Sequence, residues 1–470
     1  MRKTADPRPL AVVRSSLWME EALDDEPDGA FEPLYGSTRS DICIVGGGYT
    51  GLWTALAIKD RDPSVDVTLV EASICGAGAS GVNGGFAMTW WPKWSTLQKI
   101  VGSDGAAVAK ASGQAVAEIG DFVAANGVAA DYTAAGWLWA ATNSAQLDSW
   151  QETVDGWAEA GLAPYSPVGA ATAAAMTGSE THLGGVFEAG VATLHPGRLV
   201  RALRRIAIGR GVRIYEHSPM TAMRQEGTRT VVTTTGGAVV ASQVVLATNA
   251  ALVAEREIRR HLLVLGSDVV ATAPCSRLIG EWSPGLAISD SRRLVHYYRT
   301  TKDGRVVFGK GGGRIGSGSQ VDPRFWGSSE RVGEVTSHLH RTFPQLRGVP
   351  VTHAWSGAVD YSIDALPFFG SLSRLPGVHY VAGFSGDGVG PSRLAGHVLS
   401  SRALGLDDQW SSFPLVRTPR GVLPPEPARF LGGHVVRRAI TRKERLEDNE
   451  QRLGRTLVAV AGLDPTSFVG

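Results

Sequence analysis

Asp41-Ile42-Cys43-Ile44-Val45-Gly46-Gly47-Gly48-Tyr49-Thr50-Gly51 is followed, twenty residues later, by Glu71. The apolar run at 41–45 reads as a short buried strand. Gly46, Gly48 and Gly51 fit G-x-G-x-x-G, and residues 52–59 continue with helical periodicity. A second apolar run, 65–70, ends on the acid. This is a strand–turn–helix–strand unit of the kind that binds a dinucleotide. Gly46 permits the tight turn, Gly48 lets the backbone approach a pyrophosphate, and Gly51 lets helix and strand pack closely. The diphosphate rests on free N–H groups at the helix start. Glu71 suits a ribose diol, and its charge would repel a 2′-phosphate.

The chain has 470 residues and a formal net charge of +1. That length suits two or three domains, and the near-neutral balance does not suggest a nucleic-acid binder. Cys43, Cys75 and Cys275 show no C-x-x-C spacing, so neither a disulfide framework nor a metal site is expected, and a reducing compartment is. No apolar h-region follows the basic N-terminus, and no stretch approaches the roughly 20 apolar residues of a spanning helix. The expectation is a soluble, cytoplasmic protein with no transmembrane segment.

Further along, alanine-rich residues 95–126 read as helix, 131–140 as strand, and a helix runs on to about 160. A second α/β alternation begins at His195-Pro196, with a helix to Gly209, a strand at 212–215 and an apolar strand at 242–247. Residues 261–272, 294–300 and 305–310 read as antiparallel strands, with Asp303-Gly304 as a hairpin turn. A strand at 378–382 and a helix at 391–404 follow. Nucleotide-type segments thus occur early, in the middle and late. The expected fold is α/β: a Rossmann-like dinucleotide domain (39–95, 190–260 and 350–405) interleaved with an α+β substrate domain (96–189 and 261–349) built on an antiparallel sheet. Residues 1–38 form an N-terminal arm with Trp18 as its anchor. Residues 406–470 form a C-terminal helical extension, either docked on the body or touching a membrane surface.

Two further glycine segments bear on the dinucleotide. Residues 76–85, Gly-Ala-Gly-Ala-Ser-Gly-Val-Asn-Gly-Gly, form a small-residue loop able to run along an extended ligand. Residues 383–390, Gly-Phe-Ser-Gly-Asp-Gly-Val-Gly, precede a helix and make a second backbone-donor site. Two cradles separated by most of the chain suit a long cofactor with a reducible ring at its far end, which describes FAD better than NAD.

These segments, together with 245–250 and with Trp355, Asp364 and Pro367, resemble the D-amino-acid oxidase-like FAD-dependent oxidoreductases over about residues 40–405. Within them the chain is similar to the gamma-glutamylputrescine oxidase, glycine oxidase and sarcosine oxidase group. The resemblance implies that Gly46, Gly48, Tyr49, Thr50 and Gly51 meet the pyrophosphate, and that Glu71 and Ala72 meet the adenosine ribose. It places Gly78, Ala79, Ser80, Gly81, Asn83, Gly84 and Gly85 along the ribityl chain and ring, and Met220 at adenine. Thr248 and Asn249 would flank the cofactor. Gly383, Gly386, Asp387, Gly388, Val389 and Gly390 would approach the pyrimidine end. Val82 and Asp387 depart from the group's usual residues; Asp387 is expected to cap the following helix or point away. No Cys or His stands where relatives attach flavin, so non-covalent FAD is expected.

The implied chemistry is oxidation of a primary or secondary amine (amino acid, polyamine derivative or aminophosphonate). Hydride passes to flavin N5, the imine hydrolyses, and O2 restores the flavin with release of hydrogen peroxide. The alternative is a dehydrogenase that delivers electrons to a quinone or flavoprotein. Candidate pocket residues lie on 296–299, where His296 and Tyr298 share one face and Tyr297 and Arg299 the other. Arg299 suits an anionic substrate group or a rim salt bridge. Lys310 is a candidate cation beside the flavin, or a solvated strand end. Trp90, Trp91 and Trp94 form either an aromatic wall or domain-interface packing. Gly311, Gly313 and Gly316 repeat the glycine pattern with no helix behind it, so no second nucleotide fold is expected. Oligomeric state is open.

Overall fold

The computed structural model describes residues 13–26, 31–280 and 282–463. Its first sheet is centred on Gly36–Val45, which pairs in parallel with Val67–Val70 on one side and Gly237–Leu246 on the other. Arg213–Tyr215 and Leu375–Ala382 extend it in parallel at the two flanks. Ile42, Cys43, Ile44 and Val45 are all buried, as a strand covered on both faces requires. Helix Tyr49–Arg61 packs against helix Val389–Ala403 so closely that a Cβ on Gly396 would meet Trp53 Cβ at 2.8 Å. The early glycine helix and the late one are therefore neighbours, although most of the chain separates them.

The second sheet is mainly antiparallel. Its order is Gly327–Ser328, Val351–Ser362, Leu262–Thr272, Val306–Lys310, His296–Thr300, Ala287–Asp290, Trp137–Ala141, Gly184–Glu188, Tyr165–Gly169. Strand alternation gives it two distinct faces. On one, Val269, Val307, Tyr297 and Trp355 cluster with Trp18 and Val82. On the other, Val270, Phe308 and Tyr298 join Phe343, Leu339 and Val335 around helix Val332–Thr342. Burying one such aromatic contributes roughly 1.5–3 kcal/mol.

Several expected boundaries move. Residues 350–405 do not stay with the first sheet: Val351–Ser362 pairs along Leu262–Thr272, and the chain returns to the first sheet only at Phe368–Leu372. The alanine-rich helix is broken at Gly102, whose φ of +57° ends Trp94–Val101 before Gly105–Ala125 begins. The strand expected from 131 starts at Trp137.

The C-terminal extension forms helices Ala428–Glu447 and Arg455–Ala461. It docks on the second sheet: Ala439 and Ile440 pack against Leu294 and Ala461. Glu444 Oε1 accepts the Leu294 N–H at 3.0 Å, and Asp448 takes Arg292, Arg341 and Asn143 as partners. Among the described residues no helix is long and apolar enough to cross a membrane.

Candidate cofactor and active site

The first glycine turn has the geometry its spacing demands. Gly46 adopts φ +113°, and a Cβ there would sit 2.5 Å from the Ala247 carbonyl. A Cβ on Gly51 would lie 2.0 Å from Gly46 O, so only glycine lets the helix start this close to the strand. Helix Tyr49–Arg61 begins after Gly48 with no side-chain cap from that residue. Ser80 Oγ accepts the Tyr49 N–H at 2.9 Å, joining the turn to the loop at 76–85. Glu71 stands at the turn: its Oε2 accepts the Gly47 N–H at 2.7 Å and its Oε1 the Ser73 N–H at 2.9 Å. The Glu71 carbonyl takes the Ser218 N–H, which brings Met220 to this end of the sheet, while Ala72 is exposed beside it.

The 76–85 loop is braced by its own asparagine. Asn83 Nδ2 donates to the carbonyls of Ala79 and Ser80, and its Oδ1 accepts the Gly85 N–H at 2.8 Å. Trp355 Nε1 donates to Val82 O at 2.7 Å. Gly84 lies flat under a ring, since a Cβ there would be 2.8 Å from Tyr297 Cε2.

The late glycine segment turns sharply after Leu375–Ala382 through Gly383, Ser385 and Gly386, all with positive φ. Asp360 holds this turn by accepting the Gly383 N–H at 2.5 Å. Burial pushes the Asp360 carboxyl up to about 7, although backbone donors from Gly383 and Phe384 oppose the rise. Helix Val389–Ala403 starts after Gly388, again without a side-chain cap. Asp387 therefore does not cap it; it forms an ion pair with Lys93 Nζ at 2.9 Å. Gly390 meets the segment after the first loop, where a Cβ would be 2.6 Å from Met88 O.

These parts open onto one cavity of about 240 Å³. Tyr49, Thr50, Ala79, Ser80, Asn83 and Gly84 line it from the early segments, and Gly386, Asp387, Gly388 and Val389 from the late one. Asn249, in a left-handed conformation after Thr248, adds a third strand end. Gly78, Gly81 and Gly85 belong to the loop's frame rather than to the cavity wall. Ser267, Ser289, Val295 and Tyr297 close the cavity from the second sheet. Two backbone-donor cradles facing one mostly apolar space fit an extended dinucleotide with a ring at its far end.

The expected pocket residues divide between the sheet's two faces. Tyr297 lines the cavity, with its hydroxyl 2.8 Å from Ser267 Oγ. Arg299 is on the same face, but its guanidinium is committed to backbone: Nη1 donates to Gly85 O at 3.0 Å and Leu194 O at 2.7 Å. Burial pushes Arg299 down to about 10, and it does not line the cavity, contrary to the substrate-anion role considered for it. His296, Tyr298 and Lys310 point to the opposite face. Tyr298 bonds His182 and stacks on Phe308 at 5.1 Å in the core. His296 lies between Asp290, at 2.9 Å, and Lys310 Nζ, at 3.3 Å. Burial would raise Asp290, but His296 and Arg292 beside it hold it at about 2. The reason is register: 296, 298 and 310 alternate away from the cavity, and sequence spacing does not say which face is which.

Trp91 and Trp94 pack edge-on against Trp157 at 4.8 and 4.5 Å, and Trp90 is fully buried. They are interface packing. Gly311, Gly313 and Gly316 lead into an irregular segment bridged to Leu262–Thr272, with no helix following. Sequence reasoning missed Asp360, Tyr361, Phe384 and Lys93. Asp360 lies between Trp355 and Asp364, both already singled out, so that stretch held the signal.

Fold and site together define a dinucleotide-binding oxidoreductase. The chain belongs to the FAD-dependent oxidoreductase family, whose pattern matches residues 41–402, and FAD is its cofactor. It is 30% identical over 392 residues to gamma-glutamylputrescine oxidoreductase of Escherichia coli strain K12, covering 82% of this chain and 88% of that one. A probable oxidoreductase, OrdL, of Haemophilus influenzae is 28% identical over 413 residues, covering 83% and 89%. Among solved structures, glycine oxidase from Geobacillus kaustophilus superposes with a TM-score of 0.66 at 20% identity, over 82% of this chain and 99% of that one. L-proline dehydrogenase from P. horikoshii gives 0.62 at 18% identity, over 80% and 96%.

Proposed function

We propose that this enzyme oxidises an amine that carries no carboxylate or phosphonate at its reacting end, with a polyamine derivative as the best-fitting class. One observation carries this reading: Asp360 and Asp387 are the charged residues lining the cavity, and no Arg, Lys or His lines it among the described residues. An ammonium entering meets Asp360, whereas an anionic group finds no cation lining the cavity to pair with. The expected Arg299 clamp is spent on Gly85 and Leu194, so amino acids and aminophosphonates lose their recognition element. The name of the Escherichia coli relative points to the same class.

The two glycine segments would hold FAD non-covalently, and bound there it would supply two-electron oxidation of the amine to an imine, which water hydrolyses to a carbonyl compound and ammonia or a smaller amine, with O2 as the final acceptor giving hydrogen peroxide. The chain's own part is placement. Tyr297, set edge-on to Phe86 at 5.9 Å, makes a wall that orients an alkyl chain. Asp360 also lines the cavity, and its raised pKa would let it take the ammonium proton near neutral pH, leaving the amine neutral for oxidation. Asp387 is neutralised by Lys93 and adds little net charge.

The test is an anaerobic panel of amines, with flavin bleaching as the signal. Polyamine derivatives should bleach it, and simple α-amino acids should not; the reverse order would overturn the proposal. Admitting air to the reduced enzyme then measures peroxide yield. A low yield, with fast reoxidation by a quinone or flavoprotein, would replace oxidase by dehydrogenase.

A further inference from the structure

The N-terminal arm lies outside the segment that matches the family, yet it reaches the flavin loop directly. Helix Leu17–Asp24 starts from Ser16, whose Oγ accepts the Met19 N–H at 3.1 Å. The same hydroxyl donates to Gly81 O at 2.9 Å. Two residues on, Trp18 Nε1 donates to Asn83 O at 2.9 Å. Trp355 serves Val82 O and Arg299 serves Gly85 O. Four carbonyls of residues 81–85 are thus drawn toward the arm and the second sheet.

Trp18 also organises the other two donors. Its ring lies edge-on to Trp355 at 6.3 Å, and the Arg299 guanidinium sits 5.4 Å from its centroid. It is itself fixed by an edge contact with His195, whose Nε2 pairs with Glu21 of the same arm at 3.0 Å. The fit is close on the helix side too, since a Cβ on Gly197 would be 2.1 Å from Trp18 O. A second tether runs from Glu26 to Arg201 and on to Glu216, which accepts the Cys75 N–H where the loop begins.

We infer that the arm is a working part of the FAD site, and that Ser16 and Trp18 are positioning residues for the flavin loop. By holding the carbonyls of Gly81 and Asn83 outward, they fix the peptide planes that line the cofactor. A loop with those planes free to rotate presents carbonyls as readily as N–H groups, which repels phosphate and the electron-rich edge of the ring. The arm therefore supplies preorganisation without touching the ligand. This conclusion is independent of which amine is oxidised.

The experiment uses the full-length protein, stripped of flavin and titrated with FAD by fluorescence quenching, with thermal stability of the stripped protein measured alongside. Trp18→Phe keeps the ring but removes the Nε1–H. It should weaken FAD binding about tenfold, the usual result of leaving one buried carbonyl without its donor. It should also change the fine structure of the bound flavin's visible band, while the stripped protein melts close to the wild-type temperature. Ser16→Ala should act in the same direction, and Ser16→Thr should restore binding. Arg14→Ala, which breaks only the surface pair of Arg14 with Asp24, should leave FAD affinity unchanged. Wild-type affinity in Trp18→Phe would overturn the inference. So would an equal loss in Arg14→Ala, because that would mark general loosening of the arm.

Discussion

Arg299 donates one Nη1 to two carbonyls at once, and the Gly85 oxygen it holds belongs to a loop 214 residues earlier in the chain. A charged side chain on the second sheet is thereby spent on shaping the loop at 76–85. It reaches across the boundary between the two sheets, and Leu194 is drawn into the same grip.

Replacing Arg299 by Met should leave the Leu194 carbonyl without its donor, whereas Gly85 O keeps the Leu194 N–H at 2.9 Å. The cost is roughly 1–3 kcal/mol, that of one unpaired buried acceptor. Urea unfolding of the FAD-loaded enzyme should show the loss. Because Arg299 does not line the cavity, KM for the substrate should change less than FAD retention does.

Gly309 lies across from Tyr297 in the sheet, and a Cβ there would come within 2.0 Å of the Tyr297 ring. Gly309→Ala should therefore push that ring into the cavity. Overpacking of this kind costs about 1–3 kcal/mol. The expected result is at least a tenfold fall in kcat/KM, about 1.4 kcal/mol at the transition state. Unchanged kinetics would show that the ring has other room.

Lys93 neutralises Asp387 at the late cradle. Lys93→Met should leave a bare carboxylate on that cradle and, with FAD held between the two cradles as proposed, disfavour the reduced form. A fall of roughly 30 mV in the two-electron potential is expected, about 1.4 kcal/mol. Dye-linked reductive titration reads it, and Asp387→Asn on the same background should reverse it.

Glu188 is buried with Oε1 bonded to Thr89 at 2.6 Å and Oε2 unpartnered among the described residues. Burial raises its carboxyl from 4.5 to about 7. A raised folded-state pKa means that the folded form holds its proton longer than the unfolded form. The associated stability is complete below about pH 4.5 and lost as pH climbs through 7. The rise corresponds to at most about 3 kcal/mol at 1.36 per unit. Glu188→Gln should gain on wild type in urea midpoint between pH 5 and 8. A difference that stays flat with pH would count against it.

What could be read from sequence was local. The Gly46–Gly51 turn, its strand, its helix and Glu71 lie within one short stretch, and Gly51 answers to Gly46 five residues before it, although Gly46 itself answers to Ala247 far along the chain. The 383–390 turn was legible for the same reason. The far end of the cavity was not, because it depends on which face of His296–Thr300 looks inward, and alternation alone leaves two answers. Asp387 was misread because its partner, Lys93, comes from the far side of the chain, and local capping preference said nothing of it. From sequence, residues 350–405 read whole as part of the dinucleotide domain, whereas Val351–Ser362 pairs with Leu262–Thr272, because a strand's sequence carries no mark of its pairing partner.

The grip on residues 81–85 has a kinetic consequence. Its donors lie 65 residues upstream, at Ser16 and Trp18, and as far as 273 residues downstream, at Trp355. During synthesis the loop emerges long before Trp355 leaves the ribosome, so it cannot take its final shape until late. Contacts of such long sequence separation form slowly. Flavin loading should then be one of the last events in maturation, and nascent chains stalled before Trp355, which also lack Phe368–Leu372 and Leu375–Ala382 of the first sheet, should remain colourless.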